Sequence, residues 1–331
     1  MLALEGKAGS ISNRACVDDP AMKAIAIARQ GAQPTLHRDL PIPEAAEGEV
    51  LVRVRASSVN GFDLAVANGY LQAMMEHRFP VVLGKDFAGT VENIGPGVDG
   101  IAPGDDVYGV VMKPYLGDGG LGEHVAAPAA FVAKVPAAVE LATAGALGLA
   151  GTAAIDAVDA IAPNRAEVVL VAGATGGVGA IAVQLLKAKG VRVIATAATS
   201  QERAFVTELG ADNAVDYRGD LAAGVKALQP GGVDAALHFA GDGPTIATVV
   251  RSGGRLASTL GLTADLVGRG DLTVFPIMAN PVTATLDRLA AAVADGSVRV
   301  PIQRSYTLAD APQAFADFAA GTLGKLAIVV E

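Results

Sequence analysis

The chain has 331 residues, enough for two domains, and its 51% hydrophobic composition supplies a large core. A net charge of −9 with no basic stripe argues against nucleic acid and anionic membrane surfaces as partners, and charged residues interrupt every apolar run before it reaches spanning length. No basic segment followed by an apolar run opens the chain, and the single cysteine, Cys16, excludes an internal disulfide, so the expectation is a cytoplasmic protein.

Residues 1–21 are polar and aperiodic and read as an extension ahead of a fold that opens at Met22-Lys23-Ala24-Ile25-Ala26-Ile27. From 22 to about 147 short alternating strands, such as Val50-Leu51-Val52-Arg53-Val54, are divided by Gly and Pro; this is the pattern of an all-β, barrel-like domain. From 148 to 281 the character changes. Strands at 168–172, 192–195, 214–215, 233–239 and 255–259 alternate with helices near 180–189, 201–209, 221–228 and 244–250. Strand–helix–strand repetition means a doubly wound parallel sheet of the Rossmann kind. Residues 282–331 add a helix, a strand, a helix near 309–320 and a last strand at 326–330.

One junction carries chemistry. The apolar run Val168-Val169-Leu170-Val171-Ala172 enters Gly173-Ala174-Thr175-Gly176-Gly177-Val178-Gly179, and a helix follows. Gly176 lets backbone approach a pyrophosphate without a Cβ in the way, and Gly179 lets the helix pack close to the strand. The helix N-terminus offers unpaired N–H groups to the anion. Ala174, Thr175, Gly176, Gly177 and Val178 are therefore candidate dinucleotide contacts. The second strand ends Ala195-Thr196-Ala197-Ala198-Thr199-Ser200, with no carboxylate at its tip to take a ribose 2′-hydroxyl, and Glu202 follows only in the first turn of a helix. Ser200, Arg203 and Tyr217 are placed to surround a 2′-phosphate, which favours NADPH over NADH. The ordinary alternatives are a helix cap for Ser200, a solvated Arg203 and a strand-end Tyr217.

Several stretches together resemble the medium-chain dehydrogenase/reductase superfamily, and within it the zinc-independent quinone oxidoreductase (zeta-crystallin-like) branch. They are Ser58-Val59-Asn60-Gly61-Phe62-Asp63, Phe79-Pro80-Val81-Val82-Leu83-Gly84-Lys85-Asp86-Phe87-Ala88-Gly89, Pro103-Gly104-Asp105-Asp106-Val107, Gly119-Gly120-Leu121-Gly122-Glu123-His124-Val125, Gly151-Thr152-Ala153-Ala154, the 173–179 loop and Gly324-Lys325-Leu326. The resemblance implies a GroES-like catalytic domain (22–147, returning at 282–331) interrupted by a Rossmann NADPH-binding domain (148–281). The active site would lie in the cleft between them. It also implies a homodimer, with the strand around 272–277 pairing across the two-fold axis.

Asn60 stands where the family's first zinc cysteine would fall, Lys85-Asp86 replaces its His-Glu pair, and His37, His77, His124 and His238 are scattered, so no zinc set is read. Without a Lewis acid, hydride transfer to an already polarised acceptor is favoured over alcohol oxidation. By the resemblance, Asn60 faces the nicotinamide end of the cleft and donates to a carbonyl oxygen. Asp63 orients a neighbouring donor or caps a turn. Tyr70 offers a hydrogen bond or a proton, and Lys85 stabilises an enolate or hydroquinone anion unless it pairs with Asp86 or Asp63. Leu64-Ala65-Val66-Ala67-Asn68 stand where relatives carry aromatic and basic residues, and imply a more open or more apolar pocket. Thr152 is placed beside the nicotinamide, with a helix interior as the ordinary alternative. Thr196, Phe239, Ala240 and Leu260 form the cofactor rim at the C-terminal ends of the parallel strands. Three functions fit: an NADPH-dependent reductase of quinones or α,β-unsaturated carbonyl compounds, a dedicated enoyl reductase on a biosynthetic (for example polyketide) intermediate, or a non-enzymatic NADPH-binding structural or regulatory protein.

Overall fold

The computed structural model describes Ala21–Glu331. Residues 1–20, with Cys16, lie outside the described residues. Ala21 belongs to the first strand, Ala21–Ile27, rather than to an extension.

The β-rich part is organised around the ten-residue strand Glu49–Ser58. This strand pairs with Asp86–Ile94, with His124–Pro128 and, near its end, with the last strand of the chain, Lys325–Val329. The sheet runs Val132–Lys134, Asp106–Val110, Asp86–Ile94, Glu49–Ser58, Lys325–Val329 and Ile302–Thr307. The two C-terminal strands thus complete the sheet of the N-terminal part. Its interior holds Val50, Val52 and Val54, alternate residues of one face, against Phe87, Val107 and Ile328.

The second sheet has six strands in the order Asn213–Val215, Arg192–Thr196, Val168–Ala172, Val233–His238, Val250–Ser258 and Thr273–Pro276, all parallel. Every residue of Val168–Ala172 is buried, because both faces are covered. Val169 and Val171 pack toward the helices Gly148–Ile161 and Gly177–Ala188; Val168 and Leu170 pack toward Leu221–Leu228 and Gly243–Thr248. The strand read at 255–259 in fact begins at Val250. Ser252-Gly253-Gly254 hides it in the sequence, and Gly254 is needed there because a Cβ would stand 2.4 Å from Val250 Cγ1 and 2.9 Å from the Asp234 main-chain oxygen. No helix of the described residues is long and apolar enough to cross a membrane.

Candidate active site

The turn after Val168–Ala172 bends at Gly173, whose φ of +82° suits glycine. Gly176 caps the helix Gly177–Ala188 in an extended conformation, so the first N–H groups of that helix lack partners within it. A Cβ added to Gly176 would meet only the Gly173 oxygen, at 3.6 Å; the space in front of this backbone is free. A Cβ on Gly179 would stand 2.1 Å from the same oxygen, so that glycine serves helix–strand contact. An anion-sized cradle beside a helix N-terminus of 12 residues fits a dinucleotide pyrophosphate. Thr175, Gly176, Gly177 and Val178 are half-buried and reachable, whereas the Ala174 side chain is fully buried in the core. Thr196 is also buried: its hydroxyl accepts from Gly173 N–H at 2.9 Å, so it holds the loop rather than facing the cofactor. Phe239 is half-buried, and Ala240 and Leu260 are exposed at the strand ends. Thr152 is 0% exposed and its hydroxyl donates to the Gly148 carbonyl at 2.8 Å, the helix-interior arrangement that the sequence left as its ordinary alternative.

At the tip of the second strand the structure changes the reading of the carboxylate. The helix begins at Ser200 with Thr199, not Ser200, as its cap. Glu202 folds back onto the tip. Its Oε2 accepts from Ala198 N–H at 2.5 Å and Thr199 N–H at 3.0 Å, and its Oε1 from the Tyr217 hydroxyl at 3.2 Å. Burial opposes its charge, but these donors outweigh burial and hold the carboxyl below its usual range. Arg203 donates to the Ala214 carbonyl. Ser200 and Tyr217 are exposed, and Arg218, which the sequence reading passed over, lies with its guanidinium 5.6 Å from the Tyr217 ring.

Across the cleft, Glu49–Ser58 delivers Asn60 to the start of the short helix Gly61–Ala67. Asp63 Oδ2 accepts from Asn60 N–H at 2.8 Å, the capping role. Burial raises the Asp63 pKa to about 7, against the Asn60 N–H and with a further push from Asp86. Asp86 is fully buried and takes Ser58 Oγ (2.5 Å), Asn60 Nδ2 (2.9 Å) and Leu149 N–H (2.7 Å). Its cationic partner is Lys325, with Nζ 3.5 Å from Oδ2. Lys85 therefore pairs with neither aspartate: its Nζ donates to the Val111 carbonyl at 2.6 Å, sits 4.7 Å from the Phe62 ring, and makes no ion pair among the described residues. Burial pushes its pKa down, opposed by Asp63.

Asn60, Asp63 and Lys85 are thus brought together, and Asp86, Lys325 and Ser58 join them. Tyr70 does not: it is 74% exposed in the turn after the helix. Val66 is buried in the β-rich core, so that part of the variant stretch lines core rather than pocket. Lys325 was given no role in the sequence beyond its place in the Gly324-Lys325-Leu326 match; the further signal there is a cation opening an otherwise apolar strand, a position that demands a buried acid.

The geometry agrees with the comparisons. Residues 46–137 match the family model for the alcohol dehydrogenase GroES-like domain, and residues 177–285 that for zinc-binding dehydrogenase. A chloroplast envelope quinone oxidoreductase homologue of Arabidopsis thaliana is 30% identical over 301 residues, covering 86% of this chain and 91% of the relative. The chain belongs to the quinone oxidoreductase branch of the medium-chain dehydrogenase/reductase superfamily. Among solved structures, this oxidoreductase is similar to the quinone oxidoreductase from Coxiella burnetii, with a TM-score of 0.85 and 27% identity over 94% of this chain and 99% of that one. A mycobacterial protein complexed with NADPH matches with a TM-score of 0.82 and 28% identity, over 93% and 100% of the two chains. The oxidoreductase takes a nicotinamide cofactor and acts on small molecules, as its family does. Its residues do not fit the zinc that one family model's name carries. The Asn60 amide and Lys85 ammonium donate hydrogens where a zinc ion needs lone pairs, and no metal-sized group of His, Cys, Asp and Glu occurs among the described residues.

Proposed function

We propose that this oxidoreductase uses NADPH to reduce a quinone or an α,β-unsaturated carbonyl compound without a metal ion, as a homodimer. The observation that carries the reading is Lys85: a buried cation without a carboxylate ion pair among the described residues, close enough to act on Asp63, whose carboxyl holds the Asn60 N–H. The dinucleotide supplies a hydride to the electron-poor carbon of the acceptor. The protein's task is the negative charge that then gathers on oxygen. Asn60 has a second Nδ2–H beyond the one given to Asp86, and this hydrogen bonds the acceptor oxygen. Lys85 retains N–H bonds beyond the one to Val111, and these stabilise the enolate or hydroquinone anion and hold a proton for it. Burial of both groups keeps water from screening the interaction. For the cofactor, support for NADPH comes from Glu202, whose acceptors are already engaged, and from the exposed Arg218 beside Tyr217 and Ser200.

The test is NADPH oxidation with a panel of simple quinones, cyclic enones and enoyl thioesters. Wild-type protein turns over at least one class. Asn60→Ala and Lys85→Met each lower kcat by about 100-fold, the cost of one oxyanion donor, with NADPH affinity unchanged. Absence of turnover across the panel, or full kcat in both variants, overturns the reading. Turnover confined to enoyl thioesters identifies a dedicated enoyl reductase.

A further inference from the structure

Lys325 opens the last strand with its side chain 2% exposed, between Glu49–Ser58 and Ile302–Thr307. A charge so placed is costly unless every donor finds an acceptor. Its Nζ reaches three: Asn60 Oδ1 at 2.6 Å, Val59 O at 3.3 Å and Asp86 Oδ2 at 3.5 Å. Asp86 in turn accepts from Ser58, Asn60, Leu149 and Lys325. An ammonium only donates and a carboxylate only accepts. The Asn60 amide, held between them, has a single orientation: oxygen to Lys325, nitrogen to Asp86, and one N–H left over.

The residue before Lys325 holds the other half of the site. Gly324 N–H donates to the Thr175 carbonyl at 2.7 Å, and Gly324 bridges to Gly176. The aliphatic stem of Lys325 runs behind the same loop, with its Cδ 2.5 Å from where a Cβ on Gly177 would stand. Two consecutive residues therefore touch the dinucleotide loop on one side and the acceptor-binding amide on the other.

We propose that Lys325 is a positioning residue that fixes the Asn60 amide toward the acceptor, while the preceding Gly324 anchors the strand to the dinucleotide loop. The inference rests on the reading above, in which Asn60 meets the acceptor oxygen. Lys325 acts through Asn60 and touches neither acceptor nor cofactor phosphate. Burial lowers its pKa, opposed by Asp86 and Asp63.

The test combines a spectroscopic and a kinetic measurement on Lys325→Met, which keeps the stem and removes the donors. With isotope-labelled asparagine, the Asn60 side-chain amide signal is identified by its loss in Asn60→Ala. In wild type it is sharp and slow to exchange; in Lys325→Met it shifts and exchanges faster. With an accepted quinone or enone, kcat falls about 100-fold, the cost of a misplaced donor, while NADPH affinity is unchanged. Adding Lys325→Met to Asn60→Ala costs nothing further. Should Lys325→Met fail to fold because Asp86 is stranded, Lys325→Met/Asp86→Asn removes both charges together and is read in the same way. An unchanged amide signal overturns the proposal, as do additive losses in the combined variant. NADPH affinity falling in step with kcat overturns it too, since that marks a phosphate contact. If wild type reduces no acceptor, the reductase reading fails, and the amide signal still decides whether Lys325 holds Asn60.

Discussion

The Arg203 guanidinium donates to the Ala214 carbonyl at 3.0 Å, which aims it along the edge strand beside the tip where the adenosine ribose would lie. That bond engages one of five N–H groups and leaves the others to a ligand. Arg218 stands at the same corner, fully exposed. Arg203→Ala and Arg218→Ala are expected to weaken NADPH about 10-fold or more each, as loss of a charge-assisted hydrogen bond does, and to leave NADH affinity unchanged. Fluorescence titration with both dinucleotides checks this; equal losses for the two remove the phosphate role.

Two glycines of one loop separate binding from folding. Gly176→Val points its side chain into free space and is expected to fold normally while losing detectable dinucleotide binding. Gly179→Ala drives a methyl to 2.1 Å from the Gly173 oxygen and is expected to cost about 1–3 kcal/mol of stability through forced backbone movement. Thermal unfolding with and without NADPH distinguishes the two. A destabilised Gly176→Val with intact binding contradicts the cradle.

Asp63 makes stability depend on pH. Its folded pKa of about 7 lies above the ordinary 3.8, so between these values the unfolded chain gives up a proton that the folded chain keeps. Stability therefore falls as pH rises from about 4 to 7, and the loss is complete above the folded pKa. At ~1.4 kcal/mol per unit the full cost is about 4 kcal/mol as an upper bound. Asp63→Asn keeps an acceptor for the Asn60 N–H and removes the titration. Urea unfolding is expected to show a more stable variant at pH 8 and a flatter profile across that window. A profile parallel to wild type refutes the assignment.

The strand Thr273–Pro276 ends the parallel sheet and leaves one edge unpaired among the described residues, with Leu266 63% and Met278 88% exposed in the flanking segments. An unpaired edge flanked by apolar side chains suits pairing with a second copy. Light scattering is expected to give a dimer for wild type and a monomer for Leu266→Lys/Met278→Lys. Both positions are exposed, so the monomer stays folded. A monomeric wild type ends the dimer proposal.

The parts of the fold with a local signature were legible. Val168–Ala172 alternates toward two covered faces, and its glycine loop leads straight into the helix Gly177–Ala188, so strand, turn and helix could be read within one continuous stretch. The helix Gly148–Ile161 was not read as an element, because ten of its 14 residues are buried and no polar face marks its period. In the site, Asn60 and Lys85 were reachable from motif order. For Thr152 the sequence left two places open, since a threonine turned inward in a helix looks in sequence like one turned outward; its hydroxyl turns to the Gly148 carbonyl.

Sequence alone determined the nucleotide loop and the parallel sheet, because each is written in neighbouring residues; the amide and lysine at the family's zinc positions were read through the resemblance. Tertiary structure decided which charges meet. Lys85, adjacent to Asp86 in the chain, turns to Val111, while Lys325 reaches Asn60 across 265 residues. The reason lies in strand pairing: the last strand inserts beside Glu49–Ser58, and a buried ammonium must find whatever acceptors that register brings within reach.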